Sequence, residues 1–340
     1  MKFNNIFSSN TVFAADKPIR IYGEGEGSGR IEFVGQTREV VCENGFWYTE
    51  LAPMSYGGPY TLRLISGDGE AVLDNIFVGV VLLCAGQSNI ELRMTETNTP
   101  KEMYESNEML RAFEVNKITK NHLFSAEDGW VKADKDTVYN WTAIGYLAGM
   151  DISRDKGVAV GIINCNQGAS VIESWVPEGT FEKMGIDIPV DKKGIAHRYE
   201  PYQKWNKNGA LYEKQLGQVI PFSLSGVIWY QGEADSAGEE TTVYDRELCE
   251  LIRVWREDFK DKELIFYIIQ LANFYPPNDL TRDYDGWARV QEAQLRVQGM
   301  TNNVVTVISA DVCESDNIHP PTKTLLSRRV ADKIKELQWK

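Results

Sequence analysis

Two short blocks, far apart in the chain, hold the groups an acyl transfer needs: Gly86-Gln87-Ser88-Asn89, which follows an apolar run, and Asp316-Asn317-Ile318-His319-Pro320 near the C-terminus. A serine hydroxyl is a poor nucleophile until a positioned imidazole takes its proton, and a carboxylate behind the ring fixes its tautomer and stabilises its charge. The chain has three histidines, His122, His197 and His319, and only His319 has an acid three residues before it, Asp316. That spacing on a short loop can set both side chains on one rim. Ser88 is therefore the candidate nucleophile, His319 the base and Asp316 the orienting acid.

Such residues have to be carried to one place by the fold. The run Ile76 to Ala85 before Ser88 does not alternate, so it reads as a strand buried on both faces, and Gly86 breaks it. Four similar runs follow, Val158–Cys165, Leu224–Tyr230, Leu264–Leu271 and Val304–Ala310. Between them lie helical spacings such as Tyr244, Leu248, Leu251, Ile252, Trp255, Phe259 and Leu326, Val330, Ile334, Leu337. Strands alternating with helices imply a parallel α/β sheet. Ser88, Gly168, Gln231, Asn273 and the Asp316–His319 pair follow the five runs in order. The carboxyl ends of parallel strands share one edge, where ligands bind, so these positions converge there.

The blocks resemble those of the SGNH hydrolases, and within them the branch of sialate O-acetylesterases and acetylxylan-esterase-like enzymes. Gly86-Gln87-Ser88-Asn89 is similar to the nucleophile block, Asn166 to Ser170 with Glu173-Ser174-Trp175 to the glycine block, Tyr230 to Asp235 to the third block and Asp316 to Lys323 to the acid/base block. The resemblance covers nearly the whole chain. It implies a flavodoxin-like three-layer α/β/α domain with a five-stranded parallel sheet, preceded by a small all-β sandwich. It also implies an esterase that removes O-acetyl groups from sugars. The oxyanion would be met by the backbone amides of Ser88 and Gly168, with Gln231 supplying the side-chain amide that this branch takes from a His-Gln-Gly-Glu block. Here Tyr230 stands where that His is found, and Ile90 where a Met often follows; both departures bear on pocket shape. Glycine at 168 would permit close approach and unusual backbone angles.

Each block has a plainer reading. A lone Gly-Gln-Ser is commonly a strand-to-helix turn with Ser as N-cap, and an Asp-x-x-His is commonly a surface loop; it is four blocks in order at successive strand ends that favour catalysis. Glu233 can hold the turn as a satisfied buried carboxylate or bind a sugar hydroxyl. Trp175 can stack on a sugar or close the core edge, and Arg93 can meet an acidic substrate or pair with Glu91 or Glu96. The Gly23–Gly29 run carries two carboxylates and no following helix, which suits a turn between strands rather than a nucleotide loop. Neither His-Glu-x-x-His nor Cys-x-x-Cys occurs and the five cysteines are scattered, so neither a catalytic metal nor a cofactor is expected. Cys84 and Cys165 fall in buried strands and read as core residues.

With 340 residues, 43% hydrophobic and 25% charged, the chain has material for a large core. Residues 1–75 read as short β-strands separated by Gly-containing turns, and 76–340 as the hydrolase domain. Pro177 to Pro201 mixes Gly, Pro and charge and is expected to be a rim loop beside the substrate. A net charge of −13 disfavours nonspecific nucleic-acid and anionic-membrane binding, and no run approaches the roughly 18 apolar residues of a membrane span. The polar start of the chain lacks a signal-peptide core, which points to the cytoplasm if this is the native start and leaves secretion open if it was trimmed. The expected partner is an acetylated carbohydrate substrate; no pattern specifies an oligomeric state. Two rivals stay open: an SGNH lipase or thioesterase with another acyl group, and a noncatalytic carbohydrate-binding protein on the same scaffold.

Overall fold

A computed structural model describes residues 1–119, 126–275 and 284–339; His122 lies outside them. The fold is mixed α/β, built on a large mixed sheet. Its organising strand, β1 (Gly69–Gly86), has two characters. Residues 69–75 alternate between exposed and half-buried, whereas every residue from Ile76 to Gly86 is buried. The switch marks where the strand leaves a one-sided hairpin and enters a sheet covered on both faces.

The parallel part continues with β2 (Asn107–Glu114), β3 (Val160–Asn166), β4 (Gly226–Tyr230), β5 (Phe266–Ile269) and β6 (Val304–Val307), in the spatial order β2-β3-β1-β4-β5-β6. Strand Val131–Ala133 adds an antiparallel edge beside β2. The five apolar runs are all strands of this sheet, but among the described residues the parallel run has six strands, not five, and the short strand Val12–Ala14 also pairs parallel to Phe77–Gly79 of β1. The sixth, β2, carries Glu108, Arg111 and Glu114 and so does not look like a core strand. Its polarity is tolerated because Arg111, itself buried, stacks over Phe77 at 4.2 Å and Glu114 lies 3.8 Å from the buried Lys117 ammonium.

The helices Tyr244–Asp258 and Thr324–Gln338 bury the faces their spacing marks: Leu248, Leu251, Ile252 and Trp255 in one, Leu326, Val330 and Ile334 in the other. Among the described residues no helix is long and apolar enough to cross a membrane.

The N-terminal strands form two groups. Lys2–Phe3, Ile19–Glu24 and Phe46–Leu51 make one antiparallel sheet; Ser28–Phe33, Gln36–Val41 and Gly57–Ser66 pair onward to the first half of β1. The Gly23–Gly29 run is the turn between two of these strands. The region does not simply precede the α/β part, because β1 runs unbroken through both. Arg20 crosses the junction with its buried guanidinium, donating to the carbonyls of Phe259 (2.8 Å) and Lys260 (2.9 Å), and the Tyr22 hydroxyl donates to Val219 O at 3.0 Å. Phe7 and Phe13 pack on Phe222. Buried charge-assisted bonds and aromatic contacts of this kind make the junction part of one core.

Candidate active site

The centre of the sheet sets the site. β1 has β3 on one side and β4 on the other, so the three loops leaving their carboxyl ends meet, as they do where the strand order reverses in open α/β sheets. Gly86, at the end of β1, has φ 130°, and a Cβ there would come within 2.2 Å of Tyr230 O. Only glycine lets β1 turn away this close to β4. The turn is pinned by Gln87 N donating to Tyr230 O (2.9 Å) and Gln167 N donating to Gly86 O (3.0 Å). Ser88 then opens the single-turn helix Ser88–Glu91.

His319 reaches Ser88 from the far edge of the sheet. Its Nε2 lies 2.7 Å from Ser88 Oγ, a full hydrogen-bond contact. The loop that carries it is held by the residue after the serine: Asn89 Nδ2 donates to Ile318 O (2.9 Å) and to Glu233 Oε1 (2.6 Å), while Asn89 Oδ1 accepts from the buried Lys323 ammonium (2.8 Å). Asn98 adds a second tie, its N donating to Pro321 O at 3.2 Å. The peptide N–H groups of Ser88 and Gly168 donate to no acceptor among the described residues. A Cβ on Gly168 would stand 3.7 Å from Ser88 Cβ and 3.0 Å from Glu91 Oε2. A side chain at 168 would crowd the Glu91 carboxylate and touch Ser88, so glycine keeps this wall of the site open; the left-handed residue is its neighbour Ala169, at φ 53°.

Ser88 and His319 lie in a cavity of about 700 Å³ that also exposes Gly168 and Glu233. Its apolar wall is Ile195, Tyr202, Trp205 and Ile318, so the rim segment expected over Pro177–Pro201 does reach the cavity, through its last residues and those just beyond. Among the described residues, no lysine or arginine lines it.

Of the remaining sequence expectations, those for Asp316 and Gln231 need correction. Asp316 is exposed and forms no hydrogen bond or ion pair with the His319 ring; the loop instead turns through Asn317, whose Oδ1 accepts from His319 N at 2.9 Å. Gln231 is fully buried and outside the cavity lining. Its amide nitrogen is committed to Ser170 O (2.8 Å), Gln87 Oε1 (3.2 Å) and the Asp235 carboxylate, and its Oε1 accepts from the Tyr244 hydroxyl (2.8 Å). An amide so engaged has no donor left for an oxyanion. Trp175 is sealed in a tryptophan cluster with Trp229 and Trp255, its Nε1 donating to Ser170 Oγ. Arg93 pairs with Glu96 at 2.8 Å and does not line the cavity. Glu233 does line it, with Oε1 bound to Asn89 and Oε2 lacking a hydrogen-bond partner. Cys84 and Cys165 are core residues, and burial pushes the Cys84 thiol up to about 12.

Sequence reasoning did not single out Gln87, whose Oε1 accepts from Gly232 N (3.3 Å) and Ala234 N (3.2 Å) and so shapes the loop after β4. Nor did it find Tyr202 and Trp205, for which the only signal was aromatic residues at the end of a polar rim segment.

Burial, and after it the Lys323 ammonium, push the His319 imidazole below its ordinary 6.5, against the opposite pull of Glu96 and Glu91. A depressed value keeps the ring neutral, and so able to accept a proton, to lower pH. The acid limb of kcat/KM is therefore expected below 6.5, and Glu96→Gln, which removes an upward pull, should move it lower still. Rates measured from about pH 4 to 8 decide it; a limb at or above 6.5 would refute this account of the base.

Burial likewise raises the Glu233 carboxyl, with Asn89 and Lys323 opposing. Glu233→Gln keeps an acceptor for Asn89 whereas Glu233→Ala leaves a buried amide donor unmet, at a cost of about 1–3 kcal/mol. Denaturant midpoints should fall clearly for the alanine variant and little for the glutamine one. Equal losses would mean that Glu233 acts through its charge.

Comparison with known proteins places these features in context. A family model described as a carbohydrate esterase, sialic acid-specific acetylesterase, matches residues 78–336. Over 341 residues the chain is 23% identical to the sialate O-acetylesterase of Homo sapiens, covering 89% of this chain and 62% of that protein. The sialate O-acetylesterase of Pongo abelii gives 23% over 338 residues with the same coverage. The chain thus spans less than two thirds of the length of these curated relatives. The crystal structure of a carbohydrate acetylesterase from Xanthomonas citri superposes with a TM-score of 0.85 at 25% identity, covering 99% of this chain and 75% of that one.

Proposed function

Because this chain belongs to the sialic acid-specific acetylesterase family of carbohydrate esterases, we propose that it removes O-acetyl groups from sugars with Ser88 as nucleophile. The observation that carries the reading is the 2.7 Å contact between His319 Nε2 and Ser88 Oγ inside an open cavity. Ser88 Oγ attacks the acetyl carbonyl carbon as His319 takes its proton. The oxygen that gains charge is met by the unengaged N–H groups of Ser88 and Gly168, which are worth most where they meet charge that develops in the transition state. His319 then gives the proton to the sugar oxygen as its bond to the carbonyl carbon breaks, leaving an acetyl-enzyme. Water, losing a proton to the same imidazole, attacks that ester; acetate leaves and Ser88 regains its hydrogen. Asp316 carries less of this scheme than its spacing suggests, since no contact ties it to the ring. We read the parallel sheet as an SGNH layout widened by β2, and residues 1–75 as a small β-sandwich domain fused to the 76–340 hydrolase domain through β1. The start of the family match at residue 78 and the change in β1 burial at Ile76 support that division.

The relatives are named for sialate esters, whereas the cavity's charge favours a neutral sugar. Tyr202 and Trp205 offer stacking faces, and among the described residues the one carboxylate at the wall, Glu233, would repel a substrate carboxylate with no lining lysine or arginine to offset it. Acetylated xylo-oligosaccharides are expected to be cleaved with about tenfold or higher kcat/KM than O-acetyl sialic acid. The apolar wall favours one second reading, a longer acyl group. Acetate release from both sugar classes, together with kcat/KM for aryl acetate, butyrate and octanoate, tests all of this. An octanoate preference would replace the acetylesterase reading by a lipase one, a sialate preference would overturn the charge argument, and no hydrolysis of any ester would leave only a binding protein.

A further inference from the structure

Behind the apolar wall lies a second cluster that the proposed chemistry does not use. Glu173, in the short turn Ile172–Trp175 after β3, His197 of the rim segment and Glu240 of the turn Glu239–Thr242 bring one donor atom each to within 4.8 Å of one another. Their side chains are 4%, 5% and 0% exposed. His197 Nε2 stands 3.3 Å from Glu240 Oε2 and 3.9 Å from Glu173 Oε2, within ion-pair distance of both, but none of these three atoms makes a hydrogen bond of good geometry. Three buried, unmatched polar atoms aimed at one point are expensive unless something satisfies them.

Charge leads to the same conclusion. Asp235 and Glu247 are buried alongside, and Glu247 Oε2 is also unmatched. Against these four carboxylates stands the Lys193 ammonium, bound to the other oxygen of Glu173, Oε1. The second oxygen of Glu240, Oε1, accepts from Gly194 N at 3.2 Å. Both carboxylates are therefore oriented through one oxygen and present the other to the common point, which is how outer partners fix metal ligands.

We propose that Glu173 Oε2, His197 Nε2 and Glu240 Oε2 bind a first-row divalent cation of the zinc or manganese type. Bonds of about 2.0–2.2 Å in a tetrahedral set put donor atoms about 3.3 Å apart. The 3.3 Å His197–Glu240 separation already matches, while Glu173 stands further out, 3.9 Å from His197, and would move inward on binding. One imidazole with two carboxylates suits these ions better than calcium, which takes oxygen ligands alone. A cleft of about 540 Å³ lined by Glu173, Lys193, His197 and Glu247 gives a path in. The cation would be structural. It ties the rim segment to the loops after β3 and β4, and Ala196, beside His197, lines the Ser88 cavity. The site rests on donor geometry alone and stands whether or not Ser88 is the nucleophile.

The test uses the whole chain. Metal content is measured after purification without chelator, and chelator-stripped protein is titrated calorimetrically with Zn²⁺, Mn²⁺ and Ca²⁺, with Tm followed in parallel. Expected are one equivalent of Zn²⁺ or Mn²⁺, a Tm raised by a few degrees at about 100-fold excess over Kd, weaker binding of Ca²⁺, and affinity at least about tenfold lower in Glu240→Gln and His197→Gln. These near-isosteric changes keep the buried volume, and near-UV circular dichroism of each variant establishes that it is folded. Wild-type protein that takes up neither metal, or a Tm that does not move, overturns the site whatever the variants do. Binding retained undiminished in both folded variants overturns it equally, by placing the metal on the surface.

Discussion

Ser88→Ala and His319→Ala should each lower kcat on an aryl acetate by about 10⁴-fold or more, and the double variant should be scarcely worse than either. The reason is the 2.7 Å contact: the hydroxyl is reactive only through the ring, and the ring has no other task in the first step, so removing either removes the pair. What remains is substrate binding and the Ser88 and Gly168 amides, which account for residual rate over water. Labelling by a fluorophosphonate should vanish in Ser88→Ala and slow by a similar factor in His319→Ala. Activity near wild type in purified Ser88→Ala would end the mechanism. Asp316→Ala separates two versions of it. A carboxylate hydrogen-bonded to the ring is worth about 10⁴-fold in the serine-protease template; here no such bond exists, so a loss below about tenfold is expected. A loss as large as that of His319→Ala would mean that Asp316 closes on the imidazole when substrate binds.

Much of this arrangement was legible because it depends on properties the sequence carries locally. An unbroken apolar run is what a two-sided buried strand requires, and five such runs placed Ser88, Gly168, Gln231, Asn273 and the Asp316–His319 pair along one edge. Strand β2 escaped because its polar residues are compensated by partners distant in sequence, Phe77 for Arg111 most clearly. Side-chain direction escaped for the same reason. Gln231 follows β4 as expected, but whether its amide faces the cavity or the core is decided by Tyr244, Asp235 and Ser170 around it. Trp175 sits beside the glycine block in sequence, yet Trp229 and Trp255, 54 and 80 residues further on, enclose it. Asp316 shows the limit of spacing itself. Three residues bring a carboxylate within reach of a ring without deciding its direction, and the Asn317 side chain takes the local backbone bond. The Glu173, His197 and Glu240 donors belong to three separate loops and form no motif.

The Asn89 side chain accounts for how a histidine from the sheet edge meets a serine at its centre. β6 is separated from β1 by β4 and β5, so the loop carrying His319 must cross two strand ends and stop in register with Ser88. Asn89 sets that stop through one amide, binding Ile318 O, Glu233 Oε1 and Lys323 Nζ at once. Asn89→Ala is therefore expected to lower kcat by about 10²-fold with KM little changed, since a displacement on the order of 1 Å between reacting groups costs about that much. It should also destabilise the fold by about 1–3 kcal/mol, because the buried Lys323 ammonium loses an acceptor. The two effects separate when kcat is measured well below the Tm, where all the protein is folded. Asn89→Asp sharpens the test: it keeps an acceptor for Lys323 but loses both donated bonds and sets a second carboxylate against Glu233. If positioning is what matters, it should be no better than alanine at pH 8, a value taken well above the depressed titration of His319. Recovery of most of the activity in Asn89→Asp would assign the role to the Lys323 contact instead. A kcat within about threefold of wild type in Asn89→Ala would show that other contacts hold the loop, since geometry lost at this scale is not kinetically silent.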